Sequence, residues 1–465
     1  MVVQTTCEGH PLTRTVDVGQ VLDEGHWTGY QKLLIFGTAL TIILDGVDNQ
    51  LLPNAVPTMA GEWGLTPRAF ANALAAGPFG MMIGGIFGGV LGDRIGRRTA
   101  LLGSALSFGL ITLAIAFVND VPTLLVLRFL SGVGLGGAMP NAAALASEYV
   151  PRRSRPFAVT LTIVCIPLGG FLAAWMAGQI IQPYGWRMLF IIGGVVPMVL
   201  AAILFVVLPE SPRFLAVNRE RWPRLRAVLQ RMGHQIPADA EFVDSATVAA
   251  SGKPKASIGD LFRPAFRWDT IGLFGAFFFC LMANYIGFQR IPTMMGPTGL
   301  KFPKPSDALQ YFNLGGVAGA ILGALVIQQL GSRVTMLGMS ALAVVSAIVM
   351  AMNVPSPDSL LAAMLMFAIT GGLLNAVQTT MYALAAHVYP TEIRGTGVGA
   401  AVAVGRIGNV LAVYVADAAL TRGIPQYFLT WAITMTLVLI SLALVRRHIA
   451  PTAPAPVYAA APARH

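Results

Sequence analysis

Gly89-Val90-Leu91-Gly92-Asp93-Arg94-Ile95-Gly96-Arg97-Arg98 places four charges and three glycines between two long apolar runs, near 69–91 and 99–118. Each run is long enough to cross a hydrocarbon core of about 30 Å as a helix. The stretch therefore reads as the tight turn of a membrane hairpin, with glycine allowing the reversal. Apolar runs of this kind recur outward from it, near 31–60, 122–149, 156–181 and 187–208. A second set lies near 268–292, 307–330, 334–352, 359–386, 395–416 and 426–446. Apolar and aromatic residues make up 55% of the 465, and only 11% are charged, against about 25% in an average soluble domain. The chain has fifty glycines and thirty prolines, and many of them are scattered through the apolar runs, where membrane helices tolerate both. A soluble enzyme, a disordered chain and a fibre are all excluded. The predicted fold class is an all-α membrane protein of twelve transmembrane helices in two pseudo-symmetric six-helix bundles, 31–208 and 268–446. A tail (1–30), an inter-bundle loop (209–267) and a second tail (447–465) complete the chain.

The net charge of +10 points to topology and not to nucleic acid, because the basic excess sits in short connectors. Arg94, Arg97 and Arg98 follow span 2, Arg152, Arg153 and Arg155 follow span 4, and the polar loop follows span 6. Spans that alternate in direction bring all three to one side, which the positive-inside rule makes cytoplasmic, together with both termini. The first thirty residues contain no apolar core of signal-peptide type, and the first span is expected to direct insertion. Cys7, Cys165 and Cys280 are far apart and fit neither a disulfide framework nor a metal spacing. A P-loop pattern is also lacking, so ATP-driven transport has no support.

The halves resemble each other. A shift of 239 residues lays Pro151 and Arg155 on Pro390 and Arg394, Asp45 on Asn284, and Gln50 on Gln289. Such a repeat marks a transporter whose substrate site lies between two bundles near mid-membrane.

Residues that carry chemistry stand out against this apolar background. Asp45 and Asp48 in span 1 are spaced i, i+3, which projects them from nearly the same helix face. Carboxylates at that depth are costly, so they mark a functional site by default, here as proton-coupling groups. The alternative is that one of them caps a helix break at Gly46 or pairs with a buried arginine. Arg406 in span 11, followed by Asn409, needs an anion or a wet cavity and suits bidentate recognition of a planar carboxylate; the alternative is an internal ion pair with Asp45 or Asp48. Asn375, Gln378 and Tyr382 form a polar stripe on span 10, and span 7 adds Asn284, Tyr285, Phe288 and Gln289. With Asn49 of span 1, these are candidate substrate contacts, offering hydrogen bonds and an aromatic wall, or else helix–helix glue. Gly89, Asp93, Arg94, Gly96, Arg97 and Arg98 are candidates for a latch that holds the bundles together in one conformation. The second-half turn Gln328-Gln329-Leu330-Gly331-Ser332-Arg333 lacks the aspartate, and a weaker latch is expected there. Glu148 before Arg155, and His387 before Glu392 and Arg394, are candidates for gating. Arg128 is placed either to guide an anion inward or to pair with Asp45.

The 89–98 stretch resembles the signature loop of the major facilitator superfamily, and Arg128 with Gly132, Gly134, Gly136 and Gly137 resembles a second motif of that superfamily. Asp45-Gly46-Val47-Asp48 resembles the span 1 hallmark of its aromatic acid:proton symporters, the benzoate and hydroxybenzoate carriers. Pro209-Glu210-Ser211-Pro212-Arg213 and Tyr389-Pro390-Thr391-Glu392-Ile393-Arg394-Gly395 fit the same family but are shared with sugar and organic-ion porters. Val47 departs from the aromatic usual between the two acids, which leaves more room if that position faces the cavity. The resemblance covers about 31–447. It implies an inner-membrane importer of an aromatic carboxylate with protons, working as a monomer without a cofactor, with a span 11 arginine on the carboxylate. Alternatives are a proton-coupled carrier of sugars or aliphatic carboxylates, and a membrane sensor that does not transport.

Overall fold

Among the described residues, the apolar runs form ten long helices: α1 (Gly29–Trp63), α2 (Ala71–Ile95), α3 (Arg97–Ile115), α4 (Val121–Tyr149), α5 (Arg155–Val207), α6 (Arg267–Met294), α7 (Asp307–Met352), α8 (Leu360–Val388), α9 (Thr391–Leu420) and α10 (Ile424–Leu444). The structure is a computed structural model that describes residues 15–237, 240–245, 257–294, 306–353 and 360–451, without the side chains of 156, 157, 159, 160, 391 and 392. Cys7 and Glu392 thus lie outside the described side chains.

Two of the ten helices are hairpins in themselves. A straight rod of the 53 residues of α5 would run about 80 Å at 1.5 Å per residue, far beyond a bilayer core. Gly185 breaks α5 at φ 80°, ψ 166°, and Gly331 breaks α7 at φ 75°, ψ 166°. Gly96 between α2 and α3 (φ 103°) and Gly423 before α10 (φ 120°) mark two further reversals. An L side chain rarely adopts such angles, so glycine is what permits each tight turn. The pairs Gly96/Gly331 and Gly185/Gly423 lie 235 and 238 residues apart, close to the internal shift read from the sequence. Twelve spans result, six in each bundle.

Small residues set the spacing within each bundle. A Cβ at Gly84 of α2 would stand 2.0 Å from the Val133 carbonyl oxygen of α4, and one at Gly319 of α7 the same distance from Gly372 of α8. Backbones that approach so closely gain van der Waals contact without a hydrophobic drive, as helix association in lipid requires. The second bundle has one large core around Phe277, Phe312, Tyr427 and Trp431. The first has two, one around Leu101, Phe108 and Leu145 near the arginine-rich end, and one around Leu51, Phe70 and Trp186 towards the other. Phe36, Phe87, Phe117 and Leu361 are largely exposed, as lipid-facing side chains must be.

The first tail is folded over its described part. Strand β1 (Thr15–Asp17) pairs in parallel with β2 (Glu241–Val243) of the inter-bundle loop, and Asp17 caps the short helix Val18–Glu24. Arg155 donates to Asp23, so this cap is tied to the start of α5. At the other end of the chain, Ser332 N–H donates to the Ile449 carbonyl at 2.9 Å and Ile449 N–H to Ser332 Oγ at 2.8 Å. The aspartate-free turn of the second half is therefore held by the C-terminal segment.

Candidate functional site

The bundles touch at mid-helix and towards the end opposite the 89–98 turn. Asn49 Nδ2 of α1 donates to the Tyr285 hydroxyl of α6 at 2.8 Å. Gln50 of α1 and Asn313 of α7 exchange two amide hydrogen bonds, 2.8 and 3.1 Å. Further out, Arg290 Nη1 donates to the Pro67 carbonyl at 3.3 Å and Tyr414 Oη to Asn72 Oδ1 at 3.0 Å.

Beneath this closure lies a cavity of about 90 Å³ lined by both bundles. Asp45 and Asn49 come from α1, Asn284, Tyr285 and Phe288 from α6, Asn375, Gln378 and Tyr382 from α8, and Arg406 and Asn409 from α9. Ten residues expected at the site from sequence thus share one chamber. The Tyr285 and Phe288 rings lie 4.3 Å apart, tilted by 56°, and form one aromatic wall. Met139, Tyr382, Val402 and Arg406 also line an apolar vestibule of about 570 Å³, which extends between the bundles past Ala143, Ala386 and Val398.

Arg406 reaches across the bundle interface and donates to the Met81 carbonyl of α2. A Cβ at Gly85 would stand 2.5 Å from Arg406 Nη1, so the absence of a side chain at Gly85 makes room for the guanidinium. Among the described residues no carboxylate lies within salt-bridge distance of Arg406, and the internal ion pair weighed for it is not formed. Asp45 is 5% exposed and faces the same chamber.

Asp48 does not share that face. Three residues of α-helix rotate a side chain by about 60° from its predecessor, and that suffices to turn Asp48 into the first bundle. There its Oδ2 accepts from Arg128 Nη1 at 3.2 Å, and its Oδ1 accepts from Thr112 Oγ1 at 2.5 Å. Arg128 is therefore the partner of Asp48 and not of Asp45. Gln289 is buried but does not line the chamber, and among the described residues its Oε1 has no hydrogen-bond partner. Val47 packs beside Leu51 and Ala173 in the core of the first bundle, so its small size leaves no extra room in the cavity.

The gating candidates gather elsewhere. Glu148 accepts from Arg97 and from Ser211 Oγ, and Glu210 Oε1 accepts from Arg98 N–H at 2.9 Å and Ser211 N–H at 3.0 Å. The 89–98 turn, the end of α4 and the motif after α5 are thereby joined within one bundle. Asp93 is mostly exposed, and among the described residues its ion-pair partner is Arg97, at 3.5 Å. Arg94 and His387 are exposed, a Cβ at Gly89 would meet open space, and Arg394 Nε donates to the Tyr389 carbonyl at 3.3 Å. None of these residues links the two bundles in this conformation.

Three features escaped the sequence reading. Asn313 follows Gln310 by three residues in an apolar run, and an amide at that depth flags a buried polar contact. Gly85 looks like any other glycine of a glycine-rich helix. Arg290 and Asp417, paired at 2.6 Å with Arg290 1% exposed, sit near span ends, where charge reads as interfacial.

The family model described as Major Facilitator Superfamily matches residues 38–413. A gallate transporter of Pseudomonas putida is 31% identical over 419 residues, covering 89% of this chain and 91% of that protein. A 4-hydroxybenzoate transporter of the same organism is 32% identical over 401 residues, covering 86% and 88%. The inward open structure of the xylose transporter XylE from E. coli superposes with a TM-score of 0.69 at 16% identity, over 90% of this chain and 97% of that one, a likeness of fold alone. The chain belongs to the Major Facilitator Superfamily, a family of membrane transporters and not of enzymes.

Proposed function

We propose that this protein imports an aromatic carboxylate of the benzoate or hydroxybenzoate type together with protons, by alternating access. The observation that carries the reading is an arginine without a carboxylate partner and a buried aspartate facing one small chamber beside an aromatic wall. The planar guanidinium of Arg406 matches a carboxylate, Phe288 and Tyr285 offer an apolar face to a ring, and the amides suit ring hydroxyls. A sugar carrier would have little use for an unpaired guanidinium at that depth. The names of the gallate and 4-hydroxybenzoate transporters favour the same cargo class.

In this reading Asp45 carries the coupling proton, and Asp48 holds Arg128 in place. The arginine-rich end is cytoplasmic, with both termini on that side of a bacterial inner membrane. The closure at Gln50–Asn313 and Arg290–Pro67 then belongs to the inward-open state, with the vestibule as exit path. Protonating Asp45 and pairing Arg406 with cargo together lower the cost of occluding the loaded chamber. The Arg97–Glu148–Ser211 network steers the 89–98 turn as the bundles rock. The unit is a monomer, and its driving force is the proton gradient without a bound cofactor.

The test is uptake into proteoliposomes of labelled 4-hydroxybenzoate, gallate, benzoate, xylose and lactate, with and without an inwardly directed proton gradient, the outside acidic. Gradient-dependent accumulation of at least one aromatic acid, and not of xylose or lactate, is expected. Accumulation of xylose or lactate in place of the aromatic acids contradicts the proposal.

A further inference from the structure

Outside the transport path, a cavity of about 560 Å³ lies where the end of α5 meets the start of α3 and the loop helix Trp222–Arg231. Four arginines line it, Arg98, Arg221, Arg224 and Arg231, against one carboxylate, Glu210. That carboxylate already accepts the Arg98 and Ser211 amides. Among the described residues, no acidic side chain pairs with any of the four arginines. Arg98 Nε is buried without a hydrogen-bond partner, and the Arg221 guanidinium rests 4.6 Å from the centre of the Phe214 ring.

The sequence explains the clustering. Arg221 immediately precedes the loop helix and Arg224 and Arg231 lie within it; the three fall within an arc of about 80°, beside the buried Leu225, Val228 and Leu229, and Val228 lines the cavity with them. The apolar residues of the helix pack into the protein core, which leaves the arginines free to meet an anionic group. The opposite wall of the cavity is lipid-facing: Val206 is 83% exposed, and Val199, Ile203 and Val206 form an exposed apolar stripe along α5. On α3 the matching strip runs from Thr99 past Leu106 to Leu110, with open space at Gly103. Basic pocket and apolar track are contiguous, so one molecule with an anionic head and acyl tails fits both.

We propose that this cavity is a binding site for an anionic phospholipid, its phosphate on Arg221, Arg224 and Arg231 and its acyl chains along α3 and α5. Charge complementarity and the apolar track together favour a lipid over a soluble phosphate, which has no use for the track. Bound there, the lipid fastens the loop helix to the bilayer beside the 89–98 turn.

The test is native mass spectrometry of the full-length protein in detergent, titrated with phosphatidylglycerol or phosphatidylcholine of equal chain length. A preference for phosphatidylglycerol of about tenfold or more is expected, three arginines at a surface being sufficient for it. The triple variant Arg221→Gln/Arg224→Gln/Arg231→Gln should lose the preference, and the triple lysine variant should keep it, which guards against a folding defect in the glutamine protein. Arg152→Gln/Arg153→Gln, on exposed arginines elsewhere at the same end, should also keep it. Equal binding of both lipids, loss of preference in the Arg152/Arg153 variant, or displacement of phosphatidylglycerol by an equal concentration of glycerol 3-phosphate would each overturn the proposal.

Discussion

Gly85 and Arg406 carry the most specific demand of the site. The guanidinium occupies the volume a side chain at Gly85 would fill, so Gly85→Ala should push Arg406 off its Met81 anchor at little cost in stability. Substrate affinity is then expected to fall with the thermal midpoint nearly unchanged; isothermal titration beside a melting curve checks this. Arg406→Lys retains the charge but loses the planar fork. A charge-assisted hydrogen bond contributes about 1.5–3 kcal/mol, so carboxylate affinity should drop by about tenfold or more. Asp48 and Arg128 behave differently, because both are buried and satisfy each other. Asp48→Asn strands a buried guanidinium and should destabilise by about 3–5 kcal/mol, whereas Asp48→Leu with Arg128→Leu should recover most of the loss; equal melting of the two variants would contradict that assignment. The two aspartates were legible in the sequence as rare charges in an apolar run. Their division of labour was not, since a rotation of about 60° leaves both near one face until the neighbouring helices are known.

The helices explain how such residues are brought together. α1 presents Asp45, Asn49 and Gln50 to the second bundle and turns Asp48 towards α3 and α4. Its capping box at Thr28 and Gln31 fixes where the helix begins. The turn glycines at 96 and 331 were readable because each sits between two apolar runs joined by only a few residues, where a tight reversal favours positive φ, and the repeat in their spacing follows from the duplicated bundle. The hairpins inside α5 and α7 were equally readable, since neither length fits a single crossing. The folding of residues 15–24 onto the inter-bundle loop was not, because a three-residue strand carries no pattern of its own and depends on a partner more than two hundred residues away. The Arg290–Asp417 pair links α6 to α9, and Arg290 also reaches Pro67 in the first bundle. Arg290→Gln should loosen that end, and labelling of an Asn72→Cys variant by a maleimide should accelerate. An unchanged rate would mean that the mid-helix contacts Asn49–Tyr285 and Gln50–Asn313 suffice to hold the closure.

At the scale of the molecule, two bundles close over one chamber at one end and part at the other, and the chamber belongs to neither bundle alone. Alternating access follows if the closure can pass to the arginine-rich end while Asp45 and Arg406 stay between the bundles. The twelve-span architecture was legible from apolar run length and from the place of the arginines, because lipid permits few other solutions. Which polar side chains face the chamber depended on helix rotation, and Gln289 and Asp48 show where periodicity alone misplaced them. The central claim is that Asp45 couples proton movement to the movement of a carboxylate held by Arg406. The most direct test compares wild type with Asp45→Asn in proteoliposomes, measuring both counterflow of labelled substrate and its accumulation under a pH gradient. Counterflow should persist in the variant and gradient-driven accumulation should vanish; accumulation at the wild-type level would contradict the account.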